Sequence, residues 1–399
     1  MYDYAWMLNP ESKSLMLRIE NDIQREQQVQ HYDGQDILLS LLLNPSIVSP
    51  YCNFDVRREN LIEDTLNILS RPNMNFKKEL RVRFVGEQGE DSGGVRKEFF
   101  QLITKQLFDP IYAMFNYNEE TRTYWFNPDT FEACIKYELI GFILGLALYN
   151  SIILDVHFPR VVYKKLLGYK LNFDDLIDFS PSIAQSLDFI LKYEEDDLKD
   201  MLSCTFSVEI DNYGKKTIAE LVPGGSSIYV TQENKQLYVE KYIEWLFEKS
   251  VERMFIAFKR GFYKLYKGEM TTHCDPEELQ LLICGSPVLD FHDLEKVARY
   301  DGGYTKTSPP VIYFWEVLHD LDIEKKKKFL FFSTGSDRAP IGGLKNLSFY
   351  IMKHGEDGEQ LPSSHTCFNY LLLPAYSSKE KLKDKLLLAL ENSEGFGLI

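Results

Sequence analysis

The stretch "LPSSHTCFNYLLLPAY", residues 361–376, sets one cysteine, Cys367, between a proline-led polar segment and an apolar run. A structural cysteine belongs inside an apolar run. A loop–strand junction is instead a common place for reactive groups. A free thiol of pKa about 8.5 is already a few per cent thiolate at neutral pH, and the thiolate is a strong nucleophile. His365 stands two residues earlier, on the same side of an extended strand, whereas a Cys–His hydrolytic dyad draws its histidine from a distant segment. His365 therefore reads as a group that orients the loop or tunes the thiol, or as a plain hydrogen-bonded loop residue. The reaction that needs least beyond the thiol is thioester exchange. One thiolate replaces another, so the step is nearly isoenergetic and needs no ATP or metal. It does need a reachable sulfur, a partner surface and a domain that can move.

Other patterns offer weaker chemistry. Ile183, Leu187 and Ile190 fall at i, i+4 and i+7, one face of a helix, which suits either core packing or a docking groove. "GEQGEDSGG", Gly86 to Gly94, lies between a strand and a helix, but it lacks GxxxxGK, and Glu87, Glu90 and Asp91 would repel a phosphate. The six cysteines show no CxxC pair and the seven histidines no HExxH, so no metal site and no cofactor are expected.

The elements that must position these residues can be read from pattern. Asn9 caps a first helix, Pro10 opens it, and Leu15, Ile19 and Ile23 define its apolar face. A second helix is predicted over Asn60 to Leu69, a strand over Leu80 to Phe84, and then a helix with Phe99, Ile103 and Leu107 in register. Residues 138–260 are mostly helical in pattern, broken by a polar, hairpin-bearing insert from Thr205 to Val230. "CGSPVLD", Cys284 to Asp290, reads as an interdomain linker. Beyond it, Phe329–Ser333, Leu347–Met352 and Cys367–Leu373 read as short strands between helices. A last helix starts at a Ser377/Glu380 capping box, buries Leu382, Leu386, Ala389 and Leu390, and ends at Gly395. Lys325 to Lys328 read as a solvated helix face or a weak nuclear-import signal.

Size and charge bound the class. A chain of 399 residues, 44% hydrophobic, is too long for one typical domain. With 45 basic against 60 acidic residues, the net charge of −15 disfavours nucleic acid and anionic membrane and points to a protein partner. The apolar stretch Leu139 to Tyr149 falls short of the about 20 residues of a membrane span and reads as a buried helix. Asp3, Glu11, Glu20 and Asp22 interrupt any signal-peptide core in residues 1–30, and scattered cysteines suit a reducing compartment, so a cytoplasmic or also nuclear protein is expected.

"LPSSHTCFN" and the C-terminal "GFGLI" resemble a HECT-type ubiquitin ligase. The resemblance extends through "ICGSPVLDFHDL", "YDGGYT", "FFSTGSDRAPIGG", "FVGEQGEDSGGVRKEFFQL" and "ILDVHFPRVVYKKLLG", and covers about residues 44–399. The wording is similar to the branch founded by the papillomavirus-associated ligase. It implies an α+β, bilobal fold: a helical extension at 1–43, a large, mostly helical N-lobe at 44–286, and a small mixed α/β C-lobe at 287–399. A flexible hinge at Gly285 and Ser286 would join the lobes. It also implies a two-step reaction, in which ubiquitin passes from a conjugating enzyme to Cys367, then to a substrate lysine. His365 and Thr366 flank that cysteine, and Phe396, fourth from the C-terminus, matches a residue that matters for the lysine step. The conjugating-enzyme groove, in an insert at about 175–250, maps onto Ile183, Leu187, Ile190, Tyr193, Leu202 and Tyr238, with Cys204 where the branch has an aliphatic residue. The partners implied are a ubiquitin-conjugating enzyme, ubiquitin and unidentified protein substrates. The alternatives are a catalytically inactive ubiquitin-binding scaffold and a cysteine-dependent deubiquitinase, which no distant histidine motif supports.

Overall fold

The structure, a computed structural model, describes residues 8–30, 49, 51–72, 74–87, 94–212, 215–266 and 274–393. The chain divides into two compact units, one of residues 1–106, 143–156 and 281–399, the other of residues 107–142 and 157–280.

In the first unit, helix Pro10–Gln30 starts where expected: the Asn9 side-chain oxygen accepts the Ser12 N–H at 2.8 Å. Its apolar face needs correction. Leu15, Ile19 and Ile23 are 56%, 50% and 49% exposed, while Leu17 and Asn21 turn inward. The cause is polar: Asn21 and Arg25 both donate to the Tyr149 carbonyl, at 3.2 and 2.7 Å. A buried carbonyl must be satisfied, and hydrophobic periodicity is blind to that demand. Strands Tyr51–Val56 and Glu79–Phe84 pair in parallel and turn Cys52, Phe54 and Val56 inward with Leu80, Val82 and Phe84. Helices Leu61–Leu69 and Gly94–Leu107 match their predicted positions, with Phe99 and Ile103 buried.

From residue 281 onward this unit carries a four-stranded sheet in the order Arg299–Asp301, Tyr350–Lys353, Tyr370–Leu373, Ser363–His365. The first two pairings are parallel and the last antiparallel. Helices Pro309–Asp320, Ile323–Thr334 and Lys379–Ser393 close a core around Phe314, Phe329, Phe349, Ile351, Leu371, Leu382 and Leu386.

Three predicted elements change here. Phe329–Ser333 is not a strand but the inward end of the Ile323–Thr334 helix. Asp322 caps that helix by accepting the Lys325 N–H at 2.9 Å, and Phe329, Leu330, Ser333 and Thr334 are buried at helical spacing. The lysine run occupies its solvated first turns, so only the apolar end stood out in the sequence. The strands expected from Leu347 and Cys367 begin later, at Tyr350 and Tyr370. The last helix buries Leu382, Leu386, Ala389 and Leu390 as predicted, but its cap is Ser378, not Ser377. The Ser378 side chain accepts from Lys381 N at 3.2 Å, and its carbonyl already accepts the first helical bond, from Leu382 N at 3.1 Å. Gly395 lies outside the described residues.

The second unit is mainly helical, with two antiparallel hairpins, Phe115–Asn118 with Thr123–Phe126 and Ser207–Asn212 with Lys215–Glu220. The latter is the hairpin expected between Thr205 and Val230. Phe126, Phe158 and Phe258 form an aromatic core with centroids 5.4–6.0 Å apart. Helices Cys134–Tyr149 and Glu252–Phe262 meet at two glycines: a Cβ on Gly141 would lie 1.8 Å from the Phe258 carbonyl oxygen, and one on Gly261 1.9 Å from that of Glu138. Only glycine permits so close a backbone approach. Among the described residues, no helix is long and apolar enough to cross a membrane.

Candidate active site and docking groove

The backbone of Cys367 lies in a single 3-10 turn, Thr366–Phe368, that links strand Ser363–His365 to strand Tyr370–Leu373. His365 pairs with Tyr370 across the base of this hairpin. The chain re-enters the sheet through Asn369, whose φ of 56° is left-handed and whose N–H donates to the Thr366 carbonyl at 3.3 Å. Asparagine tolerates that conformation better than other non-glycine residues. The Asn369 side chain is buried and staples the turn on both sides. It donates to the Ser348 carbonyl at 2.9 Å and accepts from Lys97 Nζ at 3.2 Å. Ser364 Oγ donates to the Phe332 carbonyl, and the Tyr370 ring stacks on Tyr350 at 4.5 Å.

The residues around the cysteine are split between anchors and exposed groups. Pro362 and Asn369 are buried, Thr366 is half-buried, and His365 and Phe368 face solvent. The turn geometry replaces the expected strand geometry, in which Cys367 and His365 would share one side. Phe396 lies outside the described residues. Lys97 was not anticipated from the sequence. It comes from helix Gly94–Leu107, where Gln101 also donates to the Gly335 carbonyl at 3.2 Å. No local signal marks either residue, because both act across long chain separations.

Gly285 and Ser286, expected from the sequence to form a hinge, follow helix Pro276–Cys284. Gly285 has a φ of +72°, and a Cβ there would meet the Ala339 carbonyl oxygen at 2.6 Å. Ser286 exchanges two backbone hydrogen bonds with Ala339, at 2.7 and 2.9 Å.

In the second unit, five of the six predicted groove residues line one open cavity of about 390 Å³: Ile183, Leu187, Ile190, Leu202 and Tyr238. Helix Pro181–Lys192 supplies the first three and helix Lys235–Phe247 the last. Leu187 and Ile190 are buried in the floor, and Ile183 is half-buried at the edge. Ser182, Ser186, Cys204 and Tyr242 complete the lining. Tyr242 was legible as the residue one helical turn beyond Tyr238. Burial raises the Cys204 thiol and the Tyr238 and Tyr242 phenols, as expected of an apolar cleft. Tyr193 is not part of the lining. It ends the Pro181–Lys192 helix, packs its ring against Phe189 at 5.6 Å, and donates its hydroxyl to Asp197 at 2.6 Å.

Taken together, a cysteine held at the tip of a stapled turn and an apolar groove suit acyl transfer through a docked partner. The family described as "HECT-domain (ubiquitin-transferase)" matches residues 101–399. The human protein named "Probable E3 ubiquitin-protein ligase HERC4" is 41% identical over 397 residues, covering 99% of this chain and 38% of its own length. "Probable E3 ubiquitin-protein ligase HECTD2" of Mus musculus is 38% identical over 411 residues, 99% of this chain and 52% of its own. "Probable E3 ubiquitin-protein ligase HUL4" of Eremothecium gossypii is 37% identical over 381 residues, 92% and 45%. The chain thus spans half or less of most of these relatives.

Proposed function

Since the chain belongs to the HECT family, we propose that it is a ubiquitin-protein ligase working through a thioester on Cys367. The observation that carries this reading is the stapled turn: Cys367 is the one cysteine in the family's "LPSSHTCFN" pattern, and the fold places its backbone at a hairpin tip.

The Cys367 thiolate attacks the carbonyl carbon of a ubiquitin thioester on the conjugating enzyme. The new C–S bond forms, the old one breaks, and the proton lost from Cys367 ends on the departing thiol. In the second step a neutral substrate lysine attacks the Cys367 thioester. An amide forms, the C–S bond breaks, and the lysine proton restores the thiol. Nothing is oxidised or reduced.

The groove of Ile183, Leu187, Ile190, Leu202 and Tyr238 receives the conjugating enzyme. Tyr193, outside the lining, contributes from the adjoining surface with Phe189. His365 and Thr366 hold the turn beside the thiol, and Phe396 acts in the lysine step. Residues 44–286 and 287–399 behave as two lobes that swing about Gly285 and Ser286. The positive φ at Gly285 suits such a pivot, and the swing must open or carry the Ser286–Ala339 pair. The motif wording favours the papillomavirus-associated branch, though the relatives compared above bear other names. Six scattered cysteines without CxxC spacing suit a reducing, cytoplasmic location.

The test is a single-turnover mixture of this chain with a ubiquitin-charged conjugating enzyme. The expected result is a chain–ubiquitin adduct that thiol reductants dissolve. Discharge of the conjugating enzyme to free ubiquitin, with no adduct at any time, would refute the ligase reading in favour of hydrolysis.

A further inference from the structure

Away from the cysteine turn, helices Phe291–Val297 and Pro309–Asp320 bring three metal-ligating side chains to one point. His292 and Glu295 lie one turn apart on the first helix, and His319 comes from the second. His319 Nε2 and Glu295 Oε2 are 2.8 Å apart. The two imidazole rings stack with centroids 4.0 Å apart, 17° from parallel. One ligand atom from each of the three residues lies within 4.8 Å of the others. His292 is exposed, while Glu295 and His319 are half-buried, so the point opens to solvent on one side. On the other side Trp315 backs His319, with centroids 6.0 Å apart, and its indole N–H donates to the Tyr300 hydroxyl at 3.1 Å.

A divalent cation satisfies all three donors at once. Tetrahedral zinc takes histidine nitrogen at about 2.0–2.1 Å and carboxylate oxygen at about 2.0–2.2 Å, which sets its ligand atoms about 3.3 Å apart. The 2.8 Å pair and the 4.8 Å limit bracket that spacing. A shared ion must lie in the plane of each imidazole, so binding it requires the two rings to turn out of their face-to-face stack.

We propose that His292, Glu295 and His319 form a site for a zinc-class divalent cation, with water in the fourth position. Two imidazoles and one carboxylate favour zinc, nickel or copper over calcium or magnesium, which prefer all-oxygen shells. The bound ion ties the two helices together within one unit. No metal motif marks the site, because the ligands follow a His-x-x-Glu spacing and the third lies 24 residues beyond Glu295.

The test is titration of the full chain, kept reduced, with zinc and with cobalt as a visible reporter. One equivalent should bind at micromolar metal. The cobalt form should show ligand-field bands without thiolate charge transfer, and zinc should raise the melting temperature. His292→Asn and His319→Gln should each weaken binding at least tenfold and abolish that rise. Since His292 is exposed, His292→Asn keeps the test decisive if His319→Gln folds poorly. Absence of binding by the wild type, thiolate charge-transfer bands, or unchanged affinity in His292→Asn would each overturn the proposal.

Discussion

Asn369 closes the cysteine turn with its backbone and its side chain, and two substitutions separate the contributions. Asn369→Gly keeps the left-handed φ at no steric cost but deletes the bonds to Ser348 and Lys97. A neutral hydrogen bond contributes about 0.5–1.5 kcal/mol and one to a charged group about 1.5–3 kcal/mol, so the glycine variant should lose about 2–4.5 kcal/mol. The half-exposed Lys97 recovers part of its share from water, which favours the lower end. Asn369→Ala loses the same bonds and adds a left-handed penalty of about 1–2 kcal/mol. Alanine should therefore be worse than glycine here, reversing their order in an ordinary helix or strand. The assay pairs urea unfolding with single-turnover ubiquitin transfer. Both variants should slow charging of Cys367, alanine more than glycine. If alanine matched or exceeded glycine in stability, or if both variants charged at the wild-type rate, the turn would not be held as described.

Three further outcomes are expected. Ile183→Asp puts a carboxylate at the half-buried edge of the groove; desolvating it against a partner costs several kcal/mol, so charging should fall more than tenfold while the melting temperature holds. Phe396→Ala should leave the thioester nearly intact but slow its transfer to lysine; an amine of pKa about 10.4 is only about one part in a few thousand neutral at pH 7, so the step depends on local help. Parallel loss of both steps would reduce Phe396 to packing. Burial alone would raise the Glu138 carboxyl, but Arg260 and Lys264 outweigh it and hold the group below its ordinary value of 4.5. A lowered folded pKa gives stability that is present above the unfolded value and lost as pH falls through the folded one. Glu138→Gln should therefore be less stable than wild type at neutral pH, with the gap closing below about pH 4.5, as thermal melts across pH would show.

Several elements were legible because local rules sufficed. Asn9–Pro10 announces a helix start, and Leu382, Leu386 and Ala389 lie on one face that the core accepts. Ile183, Leu187 and Ile190 share a helix face by spacing, but their assignment to a groove came from resemblance, and the fold then joined them to Leu202 and Tyr238. What escaped depends on distant partners. The inward turn of Asn21 answers a carbonyl at Tyr149, and the staple from Lys97 reaches Asn369 across 272 residues. The helix over Phe329–Ser333 was hidden by its lysine-rich first turns, which blur an amphipathic period.

Ubiquitin is proposed to ride on Cys367, and a pulse–chase with charged conjugating enzyme tests this on three proteins. Wild type should form an adduct that thiol reductants dissolve and that decays as ubiquitin reaches lysine. Cys367→Ser should trap an ester resistant to those reductants, and Cys367→Ala should form neither, while its melting temperature shows it folded. A reducible adduct on the folded Cys367→Ala protein would mean that another cysteine is the nucleophile.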